Sequence, residues 1–510
     1  MKNQPHPPTP SPFLKEWRGG AGSLTSLFLA IGLSFASDPS VMQKGKSLYD
    51  AKCSQCHGET GDGKGPAAEF LKPLPRDFTS GAYKIRTTES GELPTHQDVK
   101  NIIKRGMPYT AMPAWPRFSD QELDALVAYI ESFNADFADT AANKAKPVAI
   151  PKAPAFSKAS AEKGLKVFEE NKCADCHGKL GRGDGESAPT LKDDWSQPIR
   201  PTDLTKPWTF RGGSRREDIY RTFTTGLNGT PMPSFASSIN EEDRWHLVDY
   251  ITSLARASAP GYATALIAEN VVGSVDLARG ESLFVAAPPA LFPIIGQVIE
   301  DPRGFTPGVN AVELRAVYDS NSVAFMLSWH DMSAQKTGSN TPVTRDAISD
   351  TVFSDAVALE IPWEASGGVE SPYFLFGDPK HPVEISFRDV AASAGALFKG
   401  KGSRSLESIP EAFESRAEFS NGEWRVYFKR ERRPVKRLAL EAGQFIPIAF
   451  SVWDGAGRET GSRRGITTWC SLYLKPPGGS SPLIPAAAQA GLWLGMELLA
   501  VFFLRRKYRA

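Results

Sequence analysis

Apolar positions recur three and four apart in the first half of the chain and two apart in the second. Leu126 and Val127 with Tyr129, and Leu247 and Val248 with Tyr250, mark the buried faces of two helices. Ser119 and Glu122 have the spacing of a capping box ahead of the first, and Asn240 is the matching N-cap ahead of the second. Beyond about residue 260 the period changes. Ile446, Ile448, Phe450 and Val452 share one face, as do Trp424, Val426 and Phe428, while Tyr318 and Val323 flank the turn residues Asp319 to Ser322. Several such runs predict an antiparallel β-sandwich over 258–477. The expected fold class is multidomain α plus β.

The helical half repeats itself. Cys53, Cys56 and His57 return at Cys173, Cys176 and His177, and Met112 returns at Met232, always 120 residues later. Residues 137–157, with Pro147, Pro151 and Pro154 among Ala and Lys, carry no apolar period and read as a linker. The divisions are therefore 37–136 and 158–257, a duplicated unit of about 100 residues, which is an ordinary domain size.

The two ends carry membrane signals. Lys15 and Arg18 precede an apolar run from Ala21 to Phe35 that is too short to span a bilayer and ends in Ser34-Phe35-Ala36, so 1–36 reads as a secretory signal. An uncleaved anchor is the alternative. Leu483 to Leu504 is apolar over a membrane-spanning length and is stopped by Arg505, Arg506 and Lys507. This makes 478–510 a single-pass anchor with a cytoplasmic tail, and the rest periplasmic. Glu497 interrupts that stretch, and a mid-membrane carboxylate normally has a partner on another helix.

Composition narrows the chemistry. A formal net charge of +1 with 23% charged residues argues against nucleic acid or a polyanion, which needs a basic surface. Four of the five cysteines lie in two Cys-x-x-Cys-His motifs, the signature of covalent haem attachment. Residues three apart on a helical turn share a face, so Cys53 and Cys56, or Cys173 and Cys176, can form thioethers to one porphyrin. His57 or His177 then turns its imidazole to the iron. A zinc or redox Cys-x-x-Cys is the competing reading, against which stand the adjoining histidine and the second copy. A low-spin electron carrier also needs a ligand on the other haem face, and a thioether there raises the potential. Met107, Met112 and Met232 are the candidates. Gly106-Met107 aligns with Gly226-Leu227 and Met112-Pro113 with Met232-Pro233, which selects Met112 and Met232 over ordinary packing methionines.

These units resemble the class I cytochrome c domain over about 41–133 and 160–255, including Gly45 and Tyr49, or Gly164 and Phe168, on the helix before the attachment site. The resemblance implies two all-α folds, each with one haem edge partly exposed.

The third domain resembles the haem-binding gamma subunit of ethylbenzene dehydrogenase and other periplasmic molybdenum enzymes of the dimethyl-sulfoxide-reductase class. The likeness rests on Phe353-Ser354-Asp355-Ala356-Val357-Ala358, on Gly377-Asp378-Pro379-Lys380-His381-Pro382-Val383-Glu384-Ile385, and on Ser451-Val452-Trp453-Asp454-Gly455 with Thr467-Thr468-Trp469. Such subunits hold a b-type haem and pass electrons from an iron–sulfur subunit to a carrier. The positions of that family's axial ligands fall here on Phe376, which has no donor atom, and Arg464, which stays protonated. The sandwich is then either a haem-free docking platform or a third redox centre using Met326, His330, Met332 or His381. Cys470 reads as a small buried hydrophobe.

Together these readings make the chain a dihaem electron-transfer subunit of a membrane-bound molybdenum oxidoreductase resembling nitrite oxidoreductase. Its expected partners are a molybdenum catalytic subunit, an iron–sulfur subunit, and a soluble cytochrome or terminal oxidase. The competing classes are a self-contained dihaem enzyme such as a peroxidase, and a sugar- or protein-binding module carried on the sandwich.

Overall fold

The computed structural model describes residues 38–138, 146–256, 258–259, 261–332, 334–344, 352–365, 371–411 and 413–478. The expected leader 1–36 and the apolar stretch Leu483–Leu504 lie outside these residues. Among the described residues no helix is long and apolar enough to cross a membrane.

The first helical unit contains α1 (Pro39–Lys52), α2 (Ser54–His57), α3 (His96–Arg105) and α4 (Asp120–Glu131), and the second contains α5 (Lys158–Glu170), α6 (Cys173–His177), α7 (Arg216–Thr225) and α8 (Glu241–Leu254). Caps fix the starts. Ser119 and Glu122 form the capping box of α4, and the Asn240 carboxamide accepts from the Asp243 amide at 2.9 Å at the head of α8. A further box, Thr95 with Asp98, begins α3.

Each unit is closed by one helix crossing. Gly45 on α1 lies so close to α4 that a Cβ would overlap the Ala125 carbonyl oxygen, and Gly164 on α5 meets the His246 carbonyl of α8 in the same way. Only glycine permits this approach. Tyr49 and Phe168, one turn further on, are fully buried.

Both described ends of the segment read as a linker pack on the helical units. Phe137 is buried in the first core and meets Tyr83 edge to face, so the first unit runs to at least residue 138. Val148 donates to the Thr87 carbonyl at 2.7 Å, whereas Ile150 and Ala153 pack on the second core. The tie has one end on each unit.

The sandwich runs in the order Ser415–Ser420, Glu423–Glu431, Ser322–His330, Ala311–Tyr318, Ala265–Asn270, Cys470–Leu474, Phe445–Trp453, Ala356–Pro362, Val383–Asp389, Ala396–Gly400 and Leu406–Ile409. Phe445–Trp453 turns the corner, pairing through its first half with Cys470–Leu474 and through its second with Ala356–Pro362. Alternate residues of both leaves (Phe325, Leu327, Val426 and Phe428; Val357, Leu359, Phe450 and Val452) share one core. The expectation of a purely antiparallel sheet is corrected at one strand. Ala265–Asn270 runs parallel to both of its neighbours, because it enters from the second helical unit and inserts between strands far apart in sequence.

Candidate functional site

In each helical unit the cysteine pair and histidine occupy the short helix that follows α1 or α5. In the first unit the Cys53 amide donates to Tyr49 O at 2.8 Å and the His57 amide to Cys53 O at 2.9 Å, so the motif continues the preceding helix as a tight turn, whereas in the second Lys172, left-handed at φ 55°, separates the motif from α5. All four motif cysteines are half-buried and none is in a disulfide. Burial pushes the Cys53 thiol up to about 12 and the Cys173 thiol to about 11, so both are protonated at neutral pH.

The imidazoles are oriented by backbone. His57 Nδ1 donates to Arg76 O at 2.9 Å and His177 Nδ1 to Thr202 O at 3.0 Å. A carbonyl only accepts, so Nδ1 carries the proton and the Nε2 lone pair is left for a metal, the usual arrangement of ligating histidines. Burial lowers the pKa of both rings, against the carbonyl bonds that raise it. A neutral imidazole is the ligating form. Phe78 stacks on His57 at 4.5 Å and fixes the ring plane.

The methionine loops match bond for bond. Met107 N donates to Met112 O, and Leu227 N to Met232 O, each at 3.1 Å. Thr110 Oγ1 accepts from the Met112 amide at 3.1 Å and Thr230 Oγ1 from the Met232 amide at 3.2 Å. Met107 is therefore the counterpart of Leu227, and Met112 of Met232. Met112 borders the same core as Cys53, and Met232 the same core as Cys173. Two thiols one turn apart, an imidazole with a fixed tautomer and a thioether on one core form a donor set that fits a covalently held haem c.

One departure from the 120-residue offset was not legible in the motifs. The histidine-to-carbonyl separation is 19 residues in the first unit and 25 in the second. The extra six form a small hairpin closed by the bridge between Lys192 and Pro198. Phe78 and Leu204 are equivalent, each donating to a glycine carbonyl, Gly61 or Gly181. From there to the buried Asp98 or Asp218 the first unit is the longer one by six. The two differences cancel before the methionine loops.

The residues in the sandwich do not fit a b-type haem at the positions implied by the resemblance. Phe376 and Arg464 are buried against each other, the guanidinium carbon 3.9 Å from the ring centroid, with Trp453 beside them. Arg464 Nη1 also donates to Gly461 O at 3.1 Å. Side chains fill this site. Glu360 is buried beside Arg464; desolvation raises its pKa to about 8 even though the guanidinium opposes the shift. Met326 packs among Val317, Ala324 and Tyr427, and Met332 is half-buried just beyond the strand that ends at His330. His381 faces Asp378 at 3.4 Å. His330 faces Asp184 of the second helical unit at 3.8 Å. Cys470 is half-buried against the sandwich core.

The sandwich meets the second unit beside its haem motif. Arg182 donates to Asn421 O at 2.8 Å and pairs with Glu423 at 3.0 Å, and Arg200 reaches the buried Asp454 at 3.2 Å.

Both helical units are similar to a cytochrome c family. Residues 40–130 and 159–251 each match the family described as cytochrome c oxidase, cbb3-type, subunit III, and the chain's relatives are electron-transfer cytochromes of respiratory chains. A protein of Haloferax mediterranei named as a respiratory nitrate reductase haem subunit is 20% identical over 34% of this chain and 60% of its own length. The cbb3-type cytochrome c oxidase subunit CcoP of Azospirillum brasilense is 26% identical over 42% of this chain and 62% of its own. The chain thus spans less than two thirds of either relative. Among solved structures, a chain of a reducing HAO-like protein complex from Kuenenia stuttgartiensis is 40% identical over 42% of this chain and 96% of its own, with a TM-score of 0.41.

Proposed function

We propose that this chain is a dihaem electron-transfer subunit of a respiratory oxidoreductase, held at the periplasmic face of the membrane by its C-terminal segment. The observation that carries the reading is the duplicated donor set: Cys53, Cys56, His57 and Met112 in one domain, Cys173, Cys176, His177 and Met232 in the other, both histidines fixed through Nδ1. Haem bound there supplies one-electron chemistry. The protein fixes the imidazole tautomer, presents the thioether and keeps the surroundings apolar, each of which tunes the potential.

The sandwich is the docking element. Its side-chain-filled interior supports attachment to a partner over a third redox centre, and its contact beside the second haem motif supports electron delivery to that haem. A molybdenum subunit with an iron–sulfur subunit is the partner we infer from the sandwich sequence, with a soluble cytochrome or terminal oxidase on the other side. Both ligand loops are alike, which favours transfer over a dihaem peroxidase; the latter needs one iron with an open position. Purification of the native complex tests the reading. Two covalent haems by pyridine haemochrome and a copurifying molybdenum protein are expected; a single covalent haem per chain, or a catalytically active chain on its own, overturns it.

A further inference from the structure

The two ligand loops are alike internally and differ in what touches them. In the first, Tyr109 at the loop tip is 59% exposed. Its counterpart in the second, Gly229, lies under the Trp195 indole, where a Cβ would come within 2.7 Å of the ring. Trp195 sits on the six-residue hairpin present only in the second domain. Its other contact is with the first domain: the Arg76 guanidinium stacks over the indole at 4.7 Å, and Lys84 faces Asp193 at 3.7 Å.

The insertion in the first domain reaches the opposite way. Arg86, 3% exposed, donates through Nη2 to Thr225 O at 2.8 Å and through Nη1 to Gly226 O at 3.3 Å, while its Nε holds Glu89 O at 3.0 Å. These acceptors are the end of α7 and the glycine that opens the Met232 loop. Helix C-termini leave carbonyls without intrahelical donors, and a cation there is doubly favoured. Asn228, inside the loop, accepts from the Gly91 amide at 3.1 Å and donates to Glu92 O at 3.3 Å. Both departures from the repeat therefore lie in one clasp around one loop.

We propose that the first domain holds the distal-ligand loop of the second, with Arg86 as the positioning residue for Met232. The inference rests on the reading of Met232 as an iron ligand, and its consequence is that two haems with equal donor sets differ in potential. The other domain holds the second loop at its own residues Gly226 and Asn228, whereas the first unit is met one residue ahead of its loop, where the exposed Arg105 side chain donates to Arg211 O at 2.7 Å, so thioether ligation is tighter at the second haem. Losing the two carbonyl bonds of Arg86 loosens the loop by about the worth of one or two net hydrogen bonds, which is about a tenfold shift toward the methionine-off state.

The test uses the full chain with both haems attached and compares Arg86→Ala, Arg86→Lys and Asn228→Ala with the parent, each also in a Met112→Ala background. In that background the sulfur-to-iron charge-transfer band in the far red reports Met232 alone. Arg86→Ala is expected to weaken that band and lower the second haem's potential, Arg86→Lys to restore much of both, and Asn228→Ala to act in the same direction from the other side. If the parent in the Met112→Ala background has no such band, Met232 is not the ligand and the functional reading fails. If the band is present and none of the three variants moves it while two haems stay attached, or if only the first haem responds, the clasp is refuted.

Discussion

Replacing Gly45 by alanine sets two effects of opposite sign against each other. Alanine is the better helix former, and in an exposed helix the change stabilises by about 1 kcal/mol. At Gly45 the new methyl would overlap the Ala125 carbonyl oxygen and come within 2.8 Å of Tyr129 Cβ. Both neighbours belong to α4, so relief requires separating α1 from α4, and overpacking of this kind costs typically about 1–3 kcal/mol, occasionally more. With backbone as the obstacle the upper end applies, and the net change is a loss of about 2 kcal/mol. Native-state hydrogen exchange reads this locally. Amides of α1 and α4 should exchange about 30-fold faster, the rate equivalent of that free energy, while those of α5 and α8 stay put and serve as the internal control. Gly164→Ala should give the mirror image, because its Cβ would meet His246 O and Tyr250 Cβ. Exchange of α1 that slows in Gly45→Ala would mean that propensity outweighs the collision, and the close crossing would not be what closes the unit.

Four more outcomes follow from the described geometry. Cys53→Ala with Cys173→Ala should abolish haem staining on denaturing gels, whereas either alone should leave a signal from the other domain. Met112→Ala and Met232→Ala should each lower the potential of their own haem, and a band that disappears with Met107→Ala instead would undo the pairing of the loops. Acid acetone should extract no haem from the holoprotein, because Phe376 and Arg464 fill the sandwich site; about one extractable haem per chain, by the same haemochrome assay, would show another ligand set at work. Glu360 favours its neutral form in the folded state, with a pKa near 8 against 4.5 unfolded. Its contribution is therefore fully present below about pH 4.5 and lost as pH rises through about 8. Glu360→Gln should flatten that part of the denaturation profile of the sandwich, and an unchanged slope between pH 5 and 8 would refute the assignment.

Local chemistry was the legible part of this chain. The capping residues Ser119 and Asn240, the paired motifs and the period-two strands each act over a few residues, and the structure has them where the pattern puts them. The direction of a strand is set by its partners, and Ala265–Asn270 carries nothing in its own six residues to say that it joins two distant strands in parallel. The same limit explains Phe376 and Arg464. Their side-chain chemistry argued against iron, but only the fold shows that they stack on each other and close the site.

The clasp was hidden for a subtler reason. A duplicated gene product diverges without penalty wherever length changes cancel, and here six residues gained before the histidine anchor of the second domain offset six gained after the anchor of the first. The 55-residue interval from His57 to Met112 and from His177 to Met232 survives, so a comparison of motifs finds perfect symmetry. Hydrogen bonds do not. Arg86 and Asn228 join the two domains at the Met232 loop, and Trp195 fills the space that Gly229 leaves where the first domain has Tyr109. On the proposed reading, two domains with like donor sets and one shared interface present different surroundings to their haems, and surroundings set potential as firmly as ligands do. On that reading, duplication supplies two like donor sets, and the paired insertions are what would set a gradient between them.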